Sequence, residues 1–529
     1  MLIRKELTVI IILVFVGTCV ISSTARDIEK SSITTSSNDW WPMICHDPAH
    51  SGYSTSTVPN EVMMQWKNKT IGFIESSPSI VNGRLFITTA DFTNCKGYLY
   101  CYDIQTGACL WMYDGHDEFF SSPTIVNDTV FACTLNGNFY CLNASTGAYL
   151  WSVKLGSHLL FEDSSPAVVD GRIFICSTKD DGSYNGSIFC LNADDGSIIW
   201  QNSSGNNNDF SPAVVNGKLY AAGFHNQLSC YDSVDGDLLW MCPGVELYTH
   251  PSVMNETVFV GTQDGRICCV ENGSIFWQYQ APTNYLITNP PIFAYGQVYT
   301  GLYSPSVSMS DKILCLNEKT GKEYWSRSLE EKGGVGYIPA IADGKLIILS
   351  SYGYNYPPAF DRIINVHCYD AMSGESLWSY EVGEGKDNYA YNSPAITNGQ
   401  VFICTTEIND NQVWGGVYCL KALEYTAPYL RILKPENALY VRNRKMFPLR
   451  APFIVGAIDI EVNASDNLSG MKKVEFYIDN QLVSNDTVSL FTWNWNRRTP
   501  LHWNHVIKII AYNNAGNQTT KEISVRKFF

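Results

Sequence analysis

The sequence predicts an all-β chain, with an eight-bladed β-propeller at residues 39–424 and a small Ig-like β-sandwich at residues 428–529. A sequence repeat of about forty residues recurs along most of the chain, and this period is typical of propellers and similar arrays. Each copy divides into short apolar runs bounded by turn residues, which indicates strands. Residues 428–529 lack the repeat but have alternating apolar runs, which favours a separate β-sandwich.

The copy from Phe119 to Trp151 shows how one repeat forms four strands. A Ser-Pro pair opens the first strand, where proline removes no ladder hydrogen bond. Asn136-Gly137 is predicted to be a two-residue hairpin turn, because both residues tolerate positive φ. The closing tryptophan has a large apolar face that one small sheet cannot bury, so each repeat needs a neighbour.

That two-residue turn also sets a cysteine register. It places Cys133 opposite Tyr140, and Ala132 opposite Cys141. Neighbouring residues of a strand face opposite sides of the sheet. The two cysteines would then point to opposite faces, so we expect no disulfide between them.

Three marker positions place eight repeats in register. The opening prolines are Pro78, Pro123, Pro166, Pro212, Pro251, Pro290, Pro339 and Pro394. The third-strand cysteines are Cys101, Cys141, Cys190, Cys230, Cys269, Cys315, Cys368 and Cys419. The closing tryptophans are Trp111, Trp151, Trp200, Trp240, Trp277, Trp325 and Trp378.

The eighth repeat lacks a tryptophan, whereas Trp66 ends a strand-like run that no repeat precedes. These two irregularities explain each other if the N-terminal strand completes the last sheet. Closing the ring removes exposed sheet edges. We therefore predict eight blades and a monomer.

The N-terminus has the pattern of an export signal. Arg4 and Lys5 precede an uncharged run, Leu7–Ile21, that is short for a membrane span. We predict a signal peptide over residues 1–25, with an uncleaved anchor as the alternative, and a disordered linker at 26–38. A secreted or cell-surface location follows.

Composition narrows the partners. The formal net charge of −15 disfavours nucleic acid. Eleven N-x-S/T sequons fit an exported glycoprotein. They begin at Asn68, Asn127, Asn143, Asn185, Asn202, Asn255, Asn272, Asn463, Asn467, Asn485 and Asn517.

The 17 cysteines do not require a metal or a disulfide framework. One cysteine per blade packs as a small hydrophobe and stands far from the next. Cys268 and Cys269 are strand neighbours that face opposite ways, which disfavours a bond between them. Any disulfide is expected among the cysteines outside the repeat register, namely Cys45, Cys95, Cys109 and Cys242.

The run C-Y-D-x-x-x-G-x-x-x-W at Cys101–Trp111 resembles the tryptophan-docking repeat of the pyrroloquinoline-quinone-like (quinoprotein-like) propellers. That family includes quinoprotein alcohol dehydrogenases and the propeller lipoprotein of bacterial outer-membrane assembly. The segment Asp39–Pro59 resembles the leader of secreted members. ASDNLSGMKKVEFYID and AYNNAGN resemble bacterial and archaeal Ig-like modules.

The resemblance implies one enzymatic alternative, a pyrroloquinoline-quinone-dependent dehydrogenase with calcium. Its site would lie near the propeller axis, where the first strands begin. An ordinary solvated channel mouth is the other interpretation. The polar residues at these positions are Glu75, Asp163, Asp209, His250, Asn289, Tyr337 and Asn392.

Other catalytic signals are weak. Cys45-His46-Asp47 with His50 has a metal-like spacing, but we assign it to packing and turn chemistry in the leader. His502 and His505 open a sandwich strand and are expected to face water. No Gly-rich phosphate loop, HExxH or GxSxG motif is present in the sequence. We therefore expect no catalytic residues, no metal site and no cofactor.

Long connections between second and third strands should lie on one face. Tyr352–Arg362 is aromatic, as recognition loops are, although such loops also pack on each other. We predict a non-catalytic scaffold that binds a protein or glycan; the alternatives are the quinone dehydrogenase and an envelope protein-assembly factor. The long connections are Asp91–Gly97, Lys179–Gly186, Tyr303–Asp311, Tyr352–Asn365 and Glu407–Gly415.

Overall fold

The computed structural model describes most of the chain beyond the predicted linker. The described residues are 39–156, 159–161, 164–179, 185–205, 210–222, 226–305, 309–329, 333–335, 338–352, 363–385, 387–390, 392–409, 412–423, 427–466, 470–487, 490–497, 503–514 and 517–529. The predicted signal peptide and linker lie outside them.

The described residues form β-strands and no α-helix, so the all-β prediction is confirmed. In this part of the chain no helix is long and apolar enough to cross a membrane. Strand pairing divides the described part of residues 53–422 into eight sheets. We number them sheet 1 to sheet 8 in chain order of the strands that follow their opening prolines.

Sheets 1 to 4 each follow the predicted order of four antiparallel strands. Sheet 3 has a short extra strand, Leu159–Leu160. The strands are Ser79–Val81, Arg84–Asp91, Lys96–Asp103 and Cys109–Asp114; Thr124–Val126, Thr129–Cys133, Asn138–Asn143 and Tyr149–Lys154; Ala167–Val169, Arg172–Lys179, Asn185–Asn192 and Ile198–Gly205; Ala213–Val215, Lys218–Ala222, Gln227–Asp232 and Leu238–Glu246.

Sheets 5 to 8 repeat this order, with additions at sheets 7 and 8. Tyr53–Ser54 and Gly333–Val335 join sheet 7, and Asp387–Tyr389 joins sheet 8. The four main strands of each are Ser252–Met254, Thr257–Gly261, Arg266–Glu271 and Ser274–Gln280; Ile292–Ala294, Gln297–Leu302, Lys312–Asn317 and Glu323–Ser328; Ala340–Ala342, Lys345–Tyr352, Ile363–Asp370 and Ser376–Val382; Ala395–Thr397, Gln400–Asn409, Gln412–Ala422 and Val62–Ile71.

The N-terminal strand completes sheet 8, as predicted. Val62–Ile71 pairs antiparallel with Gln412–Ala422, and Trp66 lies opposite Cys419. The first repeated strand set and the last are therefore joined through one sheet. This pairing leaves no gap where the eighth repeat lacks its own fourth strand.

Each closing tryptophan packs on the turn glycine of the following sheet. A Cβ at that glycine would fall within 3.2 Å of the indole, so only glycine fits there. The indole of Trp378 instead donates to the carbonyl of Pro59, which precedes the closing strand. The other pairs are Trp66–Gly107, Trp111–Gly147, Trp151–Gly196, Trp200–Gly236, Trp240–Gly273, Trp277–Gly321 and Trp325–Gly374.

A second set of contacts links the sheets where their first strands begin. The backbone N–H before the opening proline donates to the side chain at the same position in the next sheet. These bonds run from Ser393 to Ser77, Ser77 to Ser122, Ser122 to Ser165, Ser165 to Ser211, and Ser211 to Nδ1 of His250. They form a serine belt around the propeller axis. The tryptophan contacts pass through all eight sheets and return to the first, whereas the belt bonds connect sheets 8, 1, 2, 3, 4 and 5.

The predicted turn at Asn136-Gly137 is wrong by one residue in register. Cys133 lies opposite Phe139, and Phe131 lies opposite Cys141. Only Gly137 of the two turn residues adopts positive φ, so the connection is a four-residue loop, 134–137, rather than a two-residue turn. Both cysteines therefore face the same side, and both thiols are free.

Two further expectations are corrected. Ile292 opens the first strand of sheet 6, so Pro291 and not Pro290 takes the position of the other opening prolines. The predicted long connection Glu407–Gly415 is mostly strand, because Gln400–Asn409 and Gln412–Ala422 pair along their whole length.

The C-terminal part forms two sheets around one apolar core that includes Phe476 and Trp495. The predicted strand Ile458–Ser465 is confirmed with its bounds. In order across the sheets, the strands are Tyr429–Lys434, Ile458–Ser465 and Thr492–Trp495; Arg444–Pro448, Ala438–Val441, Phe453–Val455, Gln518–Phe528, Asn504–Asn513, Met471–Ile478 and Gln481–Asp486.

Candidate functional site

The leader, residues 39–58, runs along the first strands of successive sheets. Its backbone carbonyls accept hydrogen bonds from the N–H of the middle residue of these strands. The donor–acceptor pairs are Ile80–Trp41, Ile125–Pro42, Val214–Pro48, Val253–Ala49, Phe293–Ser51 and Ile341–Gly52. One short segment thus satisfies backbone donors from six different sheets.

Several side chains of the leader are buried against the propeller. Trp41, Cys45 and His50 are nearly inaccessible to solvent. The Nδ1 atom of His50 lies 2.9 Å from the carbonyl of Pro251, and its ring meets the ring of His250 edge-on, with centroids 6.0 Å apart. His250 belongs to the serine belt. The leader therefore contacts that belt at His250.

An ionic cluster holds the start of the leader. His46 lies between the carboxylates of Asp39 and Asp47, at 3.2 Å and 3.3 Å. Burial alone would lower the pKa of His46, but the two carboxylates outweigh it and raise that pKa to about 9. The same contacts hold the pKa of both carboxyls below the usual range despite burial. The cluster adds ion pairs to the packing and turn chemistry that we assigned to Cys45-His46-Asp47, where Asp47 also accepts from the N–H groups of Ala49 and Ser51.

Four of the seven polar residues predicted to surround the axis are described, namely Glu75, His250, Asn289 and Asn392. Glu75 is half-buried, and His250 is buried with Nδ1 already accepting from Ser211. Burial, then the nearby His50, lowers the pKa of His250 to about 3, so its ring is neutral. Asn289 is buried at a neighbouring position. Asp163, Asp209 and Tyr337 lie outside the described residues.

Asn289 and Asn392 share one unusual feature. Both side chains are buried, and their amide atoms have no hydrogen-bond partner among the described residues. At the equivalent position of other sheets, Ser76 and Ser121 bond to the second strand. The longer asparagine amides replace those short hydroxyls without making the same bond.

The described residues of this set do not by themselves make up a calcium–quinone site. Calcium takes about six to eight oxygen ligands, usually with several carboxylates. Of the described residues predicted around the axis, only Glu75 has a carboxylate. Within the described ranges, no three His, Cys, Asp or Glu side chains are placed to share a metal ion. We therefore derive no step through a quinone.

A cluster of three phenylalanines marks the side where second and third strands are joined, which we call the hairpin face. Phe92 lies in the loop after Arg84–Asp91 and is 47% exposed. Its ring centroid lies 5.1 Å from that of Phe73 and 5.6 Å from that of Phe120. Phe73 and Phe120 precede the first strands of sheets 1 and 2. Exposed, clustered aromatic rings are typical of protein-binding surfaces.

Carboxylates lie beside these rings. Asp117 accepts hydrogen bonds from Thr134 and from Asn136. Burial, followed by the neighbouring Asp117, raises the pKa of Glu118. Asp114 pairs with Lys96 at 2.7 Å. The hairpin face near sheets 1 and 2 is therefore aromatic, with Asp117 and Glu118 buried beneath it.

The sequence missed this surface because its rings come from separate connections. The available signal was an exposed phenylalanine in the loop Asp91–Gly97, a connection we predicted for this face. The aromatic loop that we favoured, Tyr352–Arg362, lies outside the described residues apart from the end of one strand.

Two other predictions can be compared with the structure. His505 does not face water; it is buried, with Nδ1 2.6 Å from Asp479. His502 lies outside the described residues. Cys268 and Cys269 pack in different apolar clusters, so their opposite orientation is confirmed.

The cysteines of the repeat are buried thiols. Burial raises the pKa of Cys101, Cys141 and Cys190 to about 12, which suppresses the reactive thiolate. All described cysteines are free, including those we considered for disulfides: Cys45, Cys95, Cys109 and Cys242.

Comparisons with known proteins agree with the propeller. The family model described as "Outer membrane protein assembly factor BamB" matches residues 59–279, 184–306 and 310–417. The model described as "Bacterial Ig domain" matches residues 448–525. The outer membrane protein assembly factor BamB of Moranella endobia is 27% identical over 203 residues, which are 36% of this chain and 52% of that protein. The chain thus spans about half the length of this curated relative.

Solved structures share the fold at low identity. The quinohemoprotein alcohol dehydrogenase from Comamonas testosteroni has a TM-score of 0.58 at 13% identity, over 75% of this chain and 82% of that one. BamB from Moraxella catarrhalis has a TM-score of 0.52 at 14% identity, over 69% and 99%. The repeat-family matches cover more than half of the sequence. The chain therefore belongs to the family of PQQ-like repeat propellers described as outer membrane protein assembly factor BamB.

Proposed function

We propose that this chain is a non-catalytic propeller of the cell envelope that binds an envelope protein on its hairpin face. The observation that carries the proposal is the position of the leader, whose carbonyls are bonded to six first strands. Quinoproteins use the axial region for a cofactor. Here that region is occupied by the chain itself, up to His50 against His250.

The family supports a protein partner, because its model and three of the curated relatives are named as assembly factors. The cluster of Phe73, Phe92 and Phe120 supplies an apolar anchor on this face. Such an anchor is the kind of residue that dominates binding energy in protein interfaces. The finer assignment, to assembly of membrane-inserted proteins, rests on the family relationship.

Deletion of the gene in its host tests this function. We expect reduced amounts of membrane-inserted envelope proteins in the deletion strain, measured by quantitative proteomics of membrane fractions. The wild-type gene should restore them, and a gene with Phe92→Ser should not. Phe92 is about half exposed, so its loss should leave thermal stability within about 0.5 kcal/mol.

A matched control comes from the rim of the propeller. Leu239 is exposed to a similar extent, on the fourth strand of sheet 4. Leu239→Ser should restore the envelope proteins as well as the wild type does. Normal envelope protein levels in the deletion strain would refute the assembly role.

Several finer features belong to the same proposal. The eight sheets are the eight blades of one closed ring, and the propeller covers residues 39–424 with the sandwich at 428–529. Residues 1–25 direct export, and 26–38 link them to the propeller. The chain is a monomer without catalytic residues, metal or cofactor, and its sequons are available for glycosylation.

Quinone-dependent oxidation is the second candidate. What favours it is the pair Asn289 and Asn392, whose buried amides have no partner among the described residues. Titration of the chain with pyrroloquinoline quinone and calcium, followed by thermal shift and absorbance, tests it. Saturable, stabilising binding would support the enzyme; unchanged unfolding and absorbance would remove it.

A further inference from the structure

One edge strand of the sandwich has no covered face. Arg444–Pro448 forms the edge of the seven-stranded sheet and pairs with Ala438–Val441. All five of its residues are exposed. Met446 is 58% exposed, Phe447 53% and the following Leu449 39%. A contiguous group of exposed apolar side chains indicates an interaction surface.

The same segment is basic in an acidic protein. Residues 437–458 contain four basic residues and no acidic residue, whereas the whole chain has a net charge of −15. Lys445 pairs with Glu436. The other three, Arg442, Arg444 and Arg450, are exposed and form no ion pair within the described part of the chain.

We propose that this hairpin, residues 438–450, docks on a bilayer surface that carries anionic phospholipid headgroups. The arginines bind headgroup phosphates, and the apolar side chains enter the boundary between headgroups and acyl chains. Successive strand residues point to opposite sides, so Met446 and Phe447 present apolar groups on both sides of the edge. The edge of the sheet, rather than one of its faces, therefore meets the membrane.

The same residues argue against pairing with a second copy. An antiparallel pair of Arg444–Pro448 edges would bring like charges together, and Pro448 has no N–H to donate. Cationic side chains and proline are the features that protect sheet edges from strand addition. The charge also opposes docking on other basic surfaces.

The apolar residues separate a lipid surface from a soluble polyanion. A polyanion would attract the arginines but would gain nothing from Phe447 or Met446. A bilayer gains from both kinds of residue. The combination therefore favours the lipid surface.

Vesicle cosedimentation tests the proposal. The protein should extend from Arg26 to the C-terminus, which keeps every described residue and omits the apolar run Leu7–Ile21 that would bind lipid on its own. We expect binding to vesicles of phosphatidylcholine mixed with phosphatidylglycerol. Binding to pure phosphatidylcholine should be at least about tenfold weaker, and added salt should weaken binding to the mixed vesicles.

Two sets of substitutions divide the two contributions. Replacing Arg442, Arg444 and Arg450 together by Gln should weaken binding to the mixed vesicles about a hundredfold, since each cation contributes about fivefold. Met446→Ser with Phe447→Ser should weaken it about tenfold or more.

Matched controls come from the same domain. Leu482 is an exposed apolar residue on the opposite edge strand, and Lys521 is an exposed cation on another strand. Leu482→Ser and Lys521→Gln should bind like the wild type. Unchanged unfolding temperatures will establish that all variants are folded.

Three results would overturn the proposal. The first is absence of wild-type binding to the mixed vesicles, or equal binding by wild type and both sets of variants. The second is a loss with the Gln variant but none with the Ser variant, which would indicate a general polyanion site. The third is a concentration-dependent dimer in size-exclusion chromatography that both sets of variants abolish.

Discussion

The indole of Trp66 lies against Gly107, so close that a Cβ on Gly107 would approach the ring atom Cδ2 to 2.6 Å. Trp66 belongs to the strand that completes sheet 8, and Gly107 to a turn of sheet 1. The indole N–H donates to the carbonyl of Ile104 at 2.8 Å. This contact joins the two ends of the repeat array.

Gly107→Ala should therefore destabilise the propeller. The residue has a φ of +73°, and a methyl group would collide with the Trp66 ring. Gly83 has nearly the same φ, +75°, with open space around it. We expect Gly83→Ala to cost about 1 kcal/mol through backbone strain, and Gly107→Ala about 1–3 kcal/mol more. Urea unfolding measures both, and equal losses would contradict a tight ring closure.

The cluster at His46 predicts a pH dependence. Its folded-state pKa of about 9 lies above the usual 6.5, so the imidazolium stabilises the fold fully below about pH 6.5. That stabilisation, about 1–3 kcal/mol, is lost as the pH rises through about 9. The lowered pKa values of Asp39 and Asp47 give a contribution that is present above pH 3.8 and lost at lower pH.

Thermal unfolding of His46→Gln against wild type checks this. The difference in Tm should be large near pH 6 and small at about pH 10. His116→Gln is the control, because that imidazole is exposed. A difference for His46→Gln that does not change with pH would contradict the ionic role of the cluster.

Thiol labelling should separate the cysteines by position. Cys95 and Cys109 are exposed, and the other described cysteines are buried. Brief treatment with a maleimide, followed by peptide mass spectrometry, should modify these two in the native protein and the rest only after unfolding. Rapid labelling of Cys101 or Cys268 would show that the sheets do not pack as described.

A conservative substitution of Glu407 should lower the stability of the fold strongly. Its buried carboxylate accepts from Thr405, from the Trp414 indole and from the backbone N–H of Glu384, each at 2.9 Å, and from Tyr418. Glu407→Gln replaces one acceptor oxygen by an NH₂ group, which would face groups that are themselves donors. We expect the free energy of unfolding to fall by about 1–3 kcal/mol.

The exposed Glu381 provides the control for that substitution. Glu381→Gln should change stability by less than about 0.5 kcal/mol in the same urea titration. If Glu407→Gln is equally neutral, the buried carboxylate is not held by these donors.

The sequence predicts the ring well and the surface poorly. The unpaired strand at Trp66 and the incomplete eighth repeat predicted that the N-terminal strand completes sheet 8, because each irregularity supplies what the other lacks. The register at Cys133 failed because Asn-Gly also occurs in four-residue loops, where only glycine needs positive φ. Both kinds of loop have the same local sequence.

Local sequence patterns did not predict the contacts between segments that are distant in the chain. Phe73, Phe92 and Phe120 meet only because sheets 1 and 2 pack together. His505 is buried because Asp479, more than twenty residues earlier, accepts its hydrogen bond. The position of the leader along the first strands likewise depends on backbone hydrogen bonds. Such bonds do not require particular side chains, so the sequence does not reveal them.

Site-specific photocrosslinking in the native host tests the central claim most directly. A photoreactive phenylalanine analogue at Phe92 on the hairpin face should crosslink to one envelope protein. The same analogue at Leu239 on the rim should not. Identical crosslinks from both positions, or none from Phe92, would contradict a protein-binding hairpin face.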